Sequence, residues 1–206
     1  GVGAWWKSDY QMTGDYWNDY SGNDKNTVKA GAPTVYTSGA NFNPMVRFNG
    51  NYYDYTGNGI FENPITAINT RVFAVSIPVS GANTAAWGER QNNGQNMQLL
   101  APWSDNTVYH DAPYGNRVQQ TFSTNGGVYN IPNLFVGIRT ASNMALRLQG
   151  KQIANNNANY SVGYTTTAWS HLGAVPGTAS GGNTGLAEVI VYRDAINFST
   201  TDLQKV

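Results

Sequence analysis

The sequence predicts an all-β protein, a sandwich of two antiparallel sheets, and three observations carry that prediction. Apolar or alternating runs recur at residues 2–6, 34–37, 45–48, 71–79, 97–100, 107–110, 117–122, 134–140, 144–148, 160–164, 169–175 and 186–192, separated by clusters of Gly, Asn, Pro and Ser. No segment before Ser199 keeps a helical period, because Gly or Asn interrupts every window long enough to hold one. Charged residues are 12% of the chain, about half the usual share. Gly, Asn, Ser, Thr and Tyr are abundant instead, so solubility rests on amides and hydroxyls.

Along the chain, the opening run carries Trp5 and Trp6. Asn49 and Gly50 form the pair favoured in a type I′ turn, which predicts a hairpin over 48–51. Residues 81–96 are poor in apolar side chains and are expected to form a long loop, as are 125–133, 155–159 and 178–184. Gln149 and Gly150 predict a tight hairpin between 144–148 and the strand beginning at Gln152. In the last run Leu186, Glu188, Ile190 and Tyr192 fall on one face and Ala187, Val189 and Val191 on the other. Both faces are apolar, so this strand should be central in its sheet. Ser199 to Asp202 read as a capping-box variant and predict a short C-terminal helical turn.

The chain has 206 residues, 40% of them hydrophobic, enough for one substantial core, and a single domain over 1–206 is expected. Twelve basic residues balance twelve acidic ones, and no basic run is present to neutralise phosphates, which disfavours nucleic acid as a partner. Without cysteine there is neither a disulfide framework nor a thiolate metal site. The apolar runs are strand-length, so no membrane insertion is expected.

In order along the chain, WKSD at 6–9, WNDYSGNDKN at 17–26, PMVRFNG at 44–50, APWSD at 101–105 with VYHD at 108–111, and GLAEVIVY at 185–192 form a pattern. It resembles the laminin G-like, concanavalin A-like jelly-roll superfamily, in its microbial and phage versions. The resemblance implies a two-sheet jelly roll with first and last strands paired, within an extracellular or virion-surface protein. Such domains bind glycans or partner proteins and sometimes calcium; fold alone does not transfer activity.

Some relatives of this superfamily are glucanases with two Glu and an Asp at alternate positions of one strand. Here the only glutamates are Glu62, Glu89 and Glu188, and Glu188 is followed on its face by Ile190 and Tyr192, so no catalytic residues are assigned. A carboxylate in an apolar strand still needs a partner, and Arg47 or backbone donors are expected to supply it. His110 beside Asp111 is read as a turn or edge histidine, since strand neighbours point to opposite faces. His171 carries no functional reading.

Calcium is the one ion considered, because the chain is rich in loop oxygens. Asp19 and Asp24 lie in one cluster, read preferentially as an Asx-turn network; Asp105 and Asp111 form a second, where a metal and a structural role stay open. Sugar recognition needs exposed rings beside amides or arginines. The candidates are Trp87 with Arg90, Tyr114 with Asn116 and Arg117, and Tyr52, Tyr53 and Tyr55; Trp5, Trp6, Trp17 and Trp103 fall in the motifs of the resemblance, which implies that they are core. The expected function is a non-catalytic recognition module binding glycans or a cell surface. The alternative is a structural virion or surface-layer protein whose partners are neighbouring subunits. Glycoside hydrolysis would need carboxylates converging in a groove.

Overall fold

The computed structural model describes residues 1–13, 15–40, 43–55, 69–78, 85–91, 96–112, 116–123, 128–157, 167–175 and 182–193. The run at 160–164, Tyr114, and the helix expected at Ser199 lie outside them. Among the described residues the protein is all-β, built of two eight-stranded antiparallel sheets, and no helix is long and apolar enough to cross a membrane.

The first sheet runs in the order β14 (Lys151–Asn156), β13 (Met144–Leu148), β12 (Asn133–Arg139), β7 (Thr70–Pro78), β16 (Asn183–Arg193), β5 (Asn43–Asn49), β4 (Thr34–Ala40), and β1 (Val2–Lys7) also pairs with β16. The second runs β11 (Asn116–Thr121), β10 (Thr107–Ala112), β9 (Asn96–Leu100), β8 (Ala85–Gln91), β15 (Thr167–Leu172), β6 (Tyr52–Tyr55), β3 (Thr27–Ala30), β2 (Tyr16–Trp17). First and last strands pair antiparallel, as the resemblance implied. Between the sheets lies one main core in which Trp6, Trp17, Phe48, Tyr53, Trp87, Phe135 and Met97 are fully buried.

Several expectations are corrected by this topology. Asn49 and Gly50 do not close a hairpin: β5 belongs to the first sheet and β6 to the second, so the turn carries the chain across the sandwich. Gly50 has the positive φ of 76° that the sequence suggested, but a type I′ turn needs two such residues and Asn49 is not one. Gln149 and Gly150 do supply both, at 50° and 77°, and join β13 to β14 as expected. The segment read as a loop at 81–96 contains β8, a central strand. Its residues, Ala85 to Gln91, include no β-branched side chain, so local propensity is silent where tertiary pairing decides.

Strand β16 is central, with β7 on one edge and β5 and β1 sharing the other. A β-bulge between Leu186 and Glu188 changes its facing pattern: Leu186 joins Val189 and Val191 in the core, leaving Glu188, Ile190 and Tyr192 on the outer face.

His110 is not at a turn or edge. It is wholly buried in β10, with Nδ1 3.2 Å from the Gln98 carbonyl, and it faces Gly137 of the other sheet. Burial pushes its pKa down to about 4. The unfolded chain takes up a proton near pH 6.5 that the folded chain refuses, so stability should fall as pH drops from 6.5 towards 4, by about 3 kcal/mol from this group. Urea titrations at pH 7, 5.5 and 4.5 measure it. His110→Gln should flatten that part of the profile, and an unchanged slope would mean the ring is protonated in place.

Candidate functional site

A cleft forms where the partner of β16 changes. Residues Asn183 to Leu186 pair with β5, Glu188 to Tyr192 pair with β1, and the bulge lies between them. Just past β1, the Ser8 N–H donates to the Ala187 carbonyl at 2.9 Å and its hydroxyl donates to the Pro44 carbonyl at 2.5 Å. Ser8 thereby ties the two partner strands together beside a cleft of about 300 Å³. Its polar lining is Lys7, Asp9, Asn43 and Glu188; Ala40, Val75, Pro132 and Ala187 give it an apolar floor.

The charges in this cleft are positioned by their neighbours. Glu188 Oε1 accepts the Trp5 indole N–H at 2.6 Å, which fixes the carboxylate and answers the question its apolar strand raised; Arg47, the partner expected from sequence, lies instead opposite Gly185. Lys7 is opposite Glu188 in register. Its ammonium is 3.6 Å from Asp9 Oδ1 and 5.6 and 5.4 Å from the ring centres of Trp5 and Tyr20. Trp5, Tyr20 and Tyr10 pack edge to face at 4.8 and 4.5 Å, and Tyr20 is 46% exposed. The arrangement joins oriented acceptors and a cation to an exposed aromatic flank.

Most residues singled out from sequence are elsewhere. Alternation in the second sheet puts Tyr53, Leu172, Trp87, Leu99 and Val118 in the core, so the rows between them face outward. Trp87 and Tyr53 are therefore corrected: they are 0% and 1% exposed and present no surface to a ligand. Burial raises the Tyr53 phenol pKa. Tyr55 faces Lys25, whose ammonium donates to the phenol oxygen at 3.4 Å and sits 5.2 Å from the ring centre. Asn116, half-buried, ends β11 opposite Ala112.

Arg90, Arg117 and Tyr52 do share the outer face. There the register aligns Asp54, His171, Gly88, Gln98, Asp111 and Arg117 in one row across six strands. Arg117 grips Asp111 through Nε at 2.5 Å and Nη2 at 2.8 Å and stacks on Tyr109 at 4.2 Å; those hydrogen bonds hold its pKa above the ordinary value. At the far end His171 stacks on Tyr52 at 4.8 Å and lies 3.2 Å from Asp54. Arg117 and Tyr52 are five strand spacings apart, roughly 24 Å, so these residues do not converge on one small ligand.

The four acidic residues considered for calcium are engaged by the protein or lie apart. Asp19 accepts from the N–H groups of Trp5, Ser21 and Lys25 and from the Ser21 hydroxyl, at 2.7 to 3.1 Å, the Asx-turn network expected. Asp24 is exposed with φ of 54°. Asp105 accepts from Tyr109 and from the Thr107 N–H; burial works against its ionisation, but those hydrogen bonds prevail and hold its pKa below the usual value. Asp111 is bound to Arg117 and Gln98. From Thr107 to Asp111 alone the strand rises about 13 Å, so Asp105 and Asp111 do not share an ion. Among the described residues no three His, Cys, Asp or Glu side chains converge as a metal site.

The cleft residues Lys7 and Asp9 were not singled out from sequence as a site, and the one signal was Glu188, a carboxylate in an apolar strand. Its convergence with Lys7 depends on the pairing of chain ends 181 residues apart, from 7 to 188, which no local pattern encodes.

The fold is a two-sheet antiparallel β-sandwich. It is shared with domain 4 of AbnA, an extracellular arabinanase from Geobacillus stearothermophilus solved with arabinotriose, at 9% identity and a TM-score of 0.73 over 99% of this chain and 97% of that one. The binding domain of botulinum neurotoxin serotype G also matches, at 9% identity and 0.73, over the whole of this chain and 50% of that one. Trypanosoma rangeli sialidase matches at 10% and 0.62, with 99% of this chain covering 32% of that one. No family model and no curated protein matches the chain.

Proposed function

We propose that this domain is a non-catalytic recognition module of an extracellular or surface protein, of the laminin G-like and concanavalin A-like type, and that it binds glycan in the cleft beside the β16 bulge. The observation that supports this reading most is the cleft's composition. Glu188, oriented by Trp5, and Asp9 accept sugar hydroxyls, Lys7 donates, and the apolar floor packs against the CH-rich face of a sugar ring, with the exposed Tyr20 ring outside the cleft beyond Lys7. Domains of the same fold are solved with either kind of ligand, an arabinanase domain with arabinotriose and a botulinum neurotoxin binding domain with synaptotagmin, so the choice of a glycan rests on the cleft's chemistry. Two carboxylates line the cleft, but a general acid needs a carboxyl sheltered in apolar surroundings. The Asp9 side chain is 48% exposed and does not meet that requirement.

A glycan-array assay of the purified domain, with calcium and with excess chelator, tests the proposal. Selective binding that survives chelator, without cleavage of the bound oligosaccharide, is expected. Glu188→Gln removes a charged acceptor worth about 1.5–3 kcal/mol, so affinity should fall roughly 10- to 100-fold. Arg117→Ala, on the outer face of the second sheet, should leave affinity unchanged. The reverse pattern would move the site to that face, and binding to no glycan would overturn the reading.

A further inference from the structure

Three charged side chains line the cleft beside the β16 bulge, Asp9 and Glu188 against Lys7. The rest of its lining among the described residues is uncharged: β7 contributes Val75, and Ser8, Ala40, Asn43, Pro132 and Ala187 complete it. Two carboxylates and one ammonium leave the cleft with a formal negative charge. Where that charge sits decides what the cleft selects.

Lys7 stands opposite Glu188 in register and would be its ordinary cross-strand partner. Its ammonium goes instead to Asp9, 3.6 Å from Oδ1, with the ring centres of Trp5 and Tyr20 at 5.6 and 5.4 Å. Lys7 and Asp9 therefore balance each other, and the charge of Glu188 is left uncompensated. Glu188 Oε1 accepts the Trp5 indole N–H, while no hydrogen bond from the described residues reaches Oε2. The residue is half-buried, with Val75 opposite it on its other side, so water solvates this carboxylate less than it would an exposed one. A fixed carboxylate oxygen of this kind, open to a cleft of about 300 Å³, is a place for a ligand cation.

We infer that the cleft selects glycans bearing a free amine, that is, hexosamines with an unacetylated ammonium, over neutral sugars and over sugars bearing a carboxylate; this rests on the glycan reading of the same cleft. An ammonium at Glu188 Oε2 makes a charge-assisted hydrogen bond and supplies the solvation that the apolar floor withholds. Acetylation turns that ammonium into a neutral amide and removes the attraction. A carboxylate in the same place meets Glu188 and Asp9, and the one cation in reach, Lys7, is already engaged by Asp9. Asp9 and Asn43 add polar groups for hydroxyls, which an amine without a sugar does not offer.

Calorimetric titration of the purified domain at about pH 6, where an amine keeps its proton, is the test. Oligomers of glucosamine, N-acetylglucosamine and glucuronic acid of equal length are compared. The glucosamine oligomer should bind at least about tenfold more tightly than the acetylated one, and the glucuronic acid oligomer more weakly than either. Glu188→Gln keeps an acceptor for the indole but removes the charge, and should bring the ratio of amine to acetylated affinity close to unity. Lys7→Met releases Asp9 and should widen that ratio, and salt at about 0.5 M should narrow it in the parent. Equal binding of the amine and acetylated oligomers, tighter binding of the glucuronic acid oligomer, or a ratio indifferent to Glu188→Gln would each overturn the inference and leave glycan recognition standing. An alkyl diamine that binds as tightly as the glucosamine oligomer would overturn the choice of a sugar. Binding to none of the oligomers would overturn the inference too, and the glycan reading would then stand or fall on the array.

Discussion

Replacing Trp87 by alanine is expected to cost about 3–5 kcal/mol of stability, the range for removing a fully buried tryptophan. A domain of this size has only about 5–15 kcal/mol to lose, and the midpoint of thermal unfolding should fall by roughly 10 °C. The physical reason is position: Trp87 lies in a central strand, in the row with Leu172 and Leu99, and is 0% exposed. Glycan affinity per folded molecule should be unchanged, because the cleft is on the outer face of the other sheet. Thermal unfolding followed by fluorescence of the remaining tryptophans, together with a binding titration, checks both parts. Normal stability with lost binding would restore Trp87 to the surface role its polar sequence neighbours suggested.

Gly173→Ala should be nearly as damaging, for two separable reasons. Its φ is +86°, where an L side chain costs about 1–2 kcal/mol, and an added Cβ would fall 2.5–2.6 Å from three carbons of the Phe48 ring. Phe48 is fully buried and has nowhere to withdraw, so overpacking adds about 1–3 kcal/mol. Gly50→Ala is the natural control: its φ is +76° but nothing lies within 4 Å of the added carbon, so only the backbone penalty applies. Urea denaturation of the three proteins should rank Gly173→Ala well below Gly50→Ala, itself slightly below the parent. Equal losses would show that the Phe48 ring can move aside.

Two turn glycines, Gly150 and Gly50, separate what a sequence displays from what it does not. The Gln149–Gly150 hairpin was legible because both demands of its turn are local. Asn49 and Gly50 present the same local signal, yet the chain there leaves one sheet for the other, and only the positions of β5 and β6 distinguish a hairpin from a crossover. The alternation of β16 was read correctly on either side of Ala187 but not through it, since a bulge is one extra residue in a ladder and is invisible without the partner strand.

The amino-acid order by itself determined the class of the fold, the central place of the last strand, and the turn of the Asp19 loop around Ser21 and Lys25. Each rests on period, composition or contacts within a few residues, which a linear chain displays. The tertiary structure alone decided which aromatics reach solvent and where a ligand could sit. Trp87 is core because β8 is flanked on both sides, and Lys7 meets Glu188 because the chain's first and last strands adjoin. Those facts depend on pairings between distant segments, and in a β-sandwich it is these long-range pairings that turn a pattern of faces into a surface with a site.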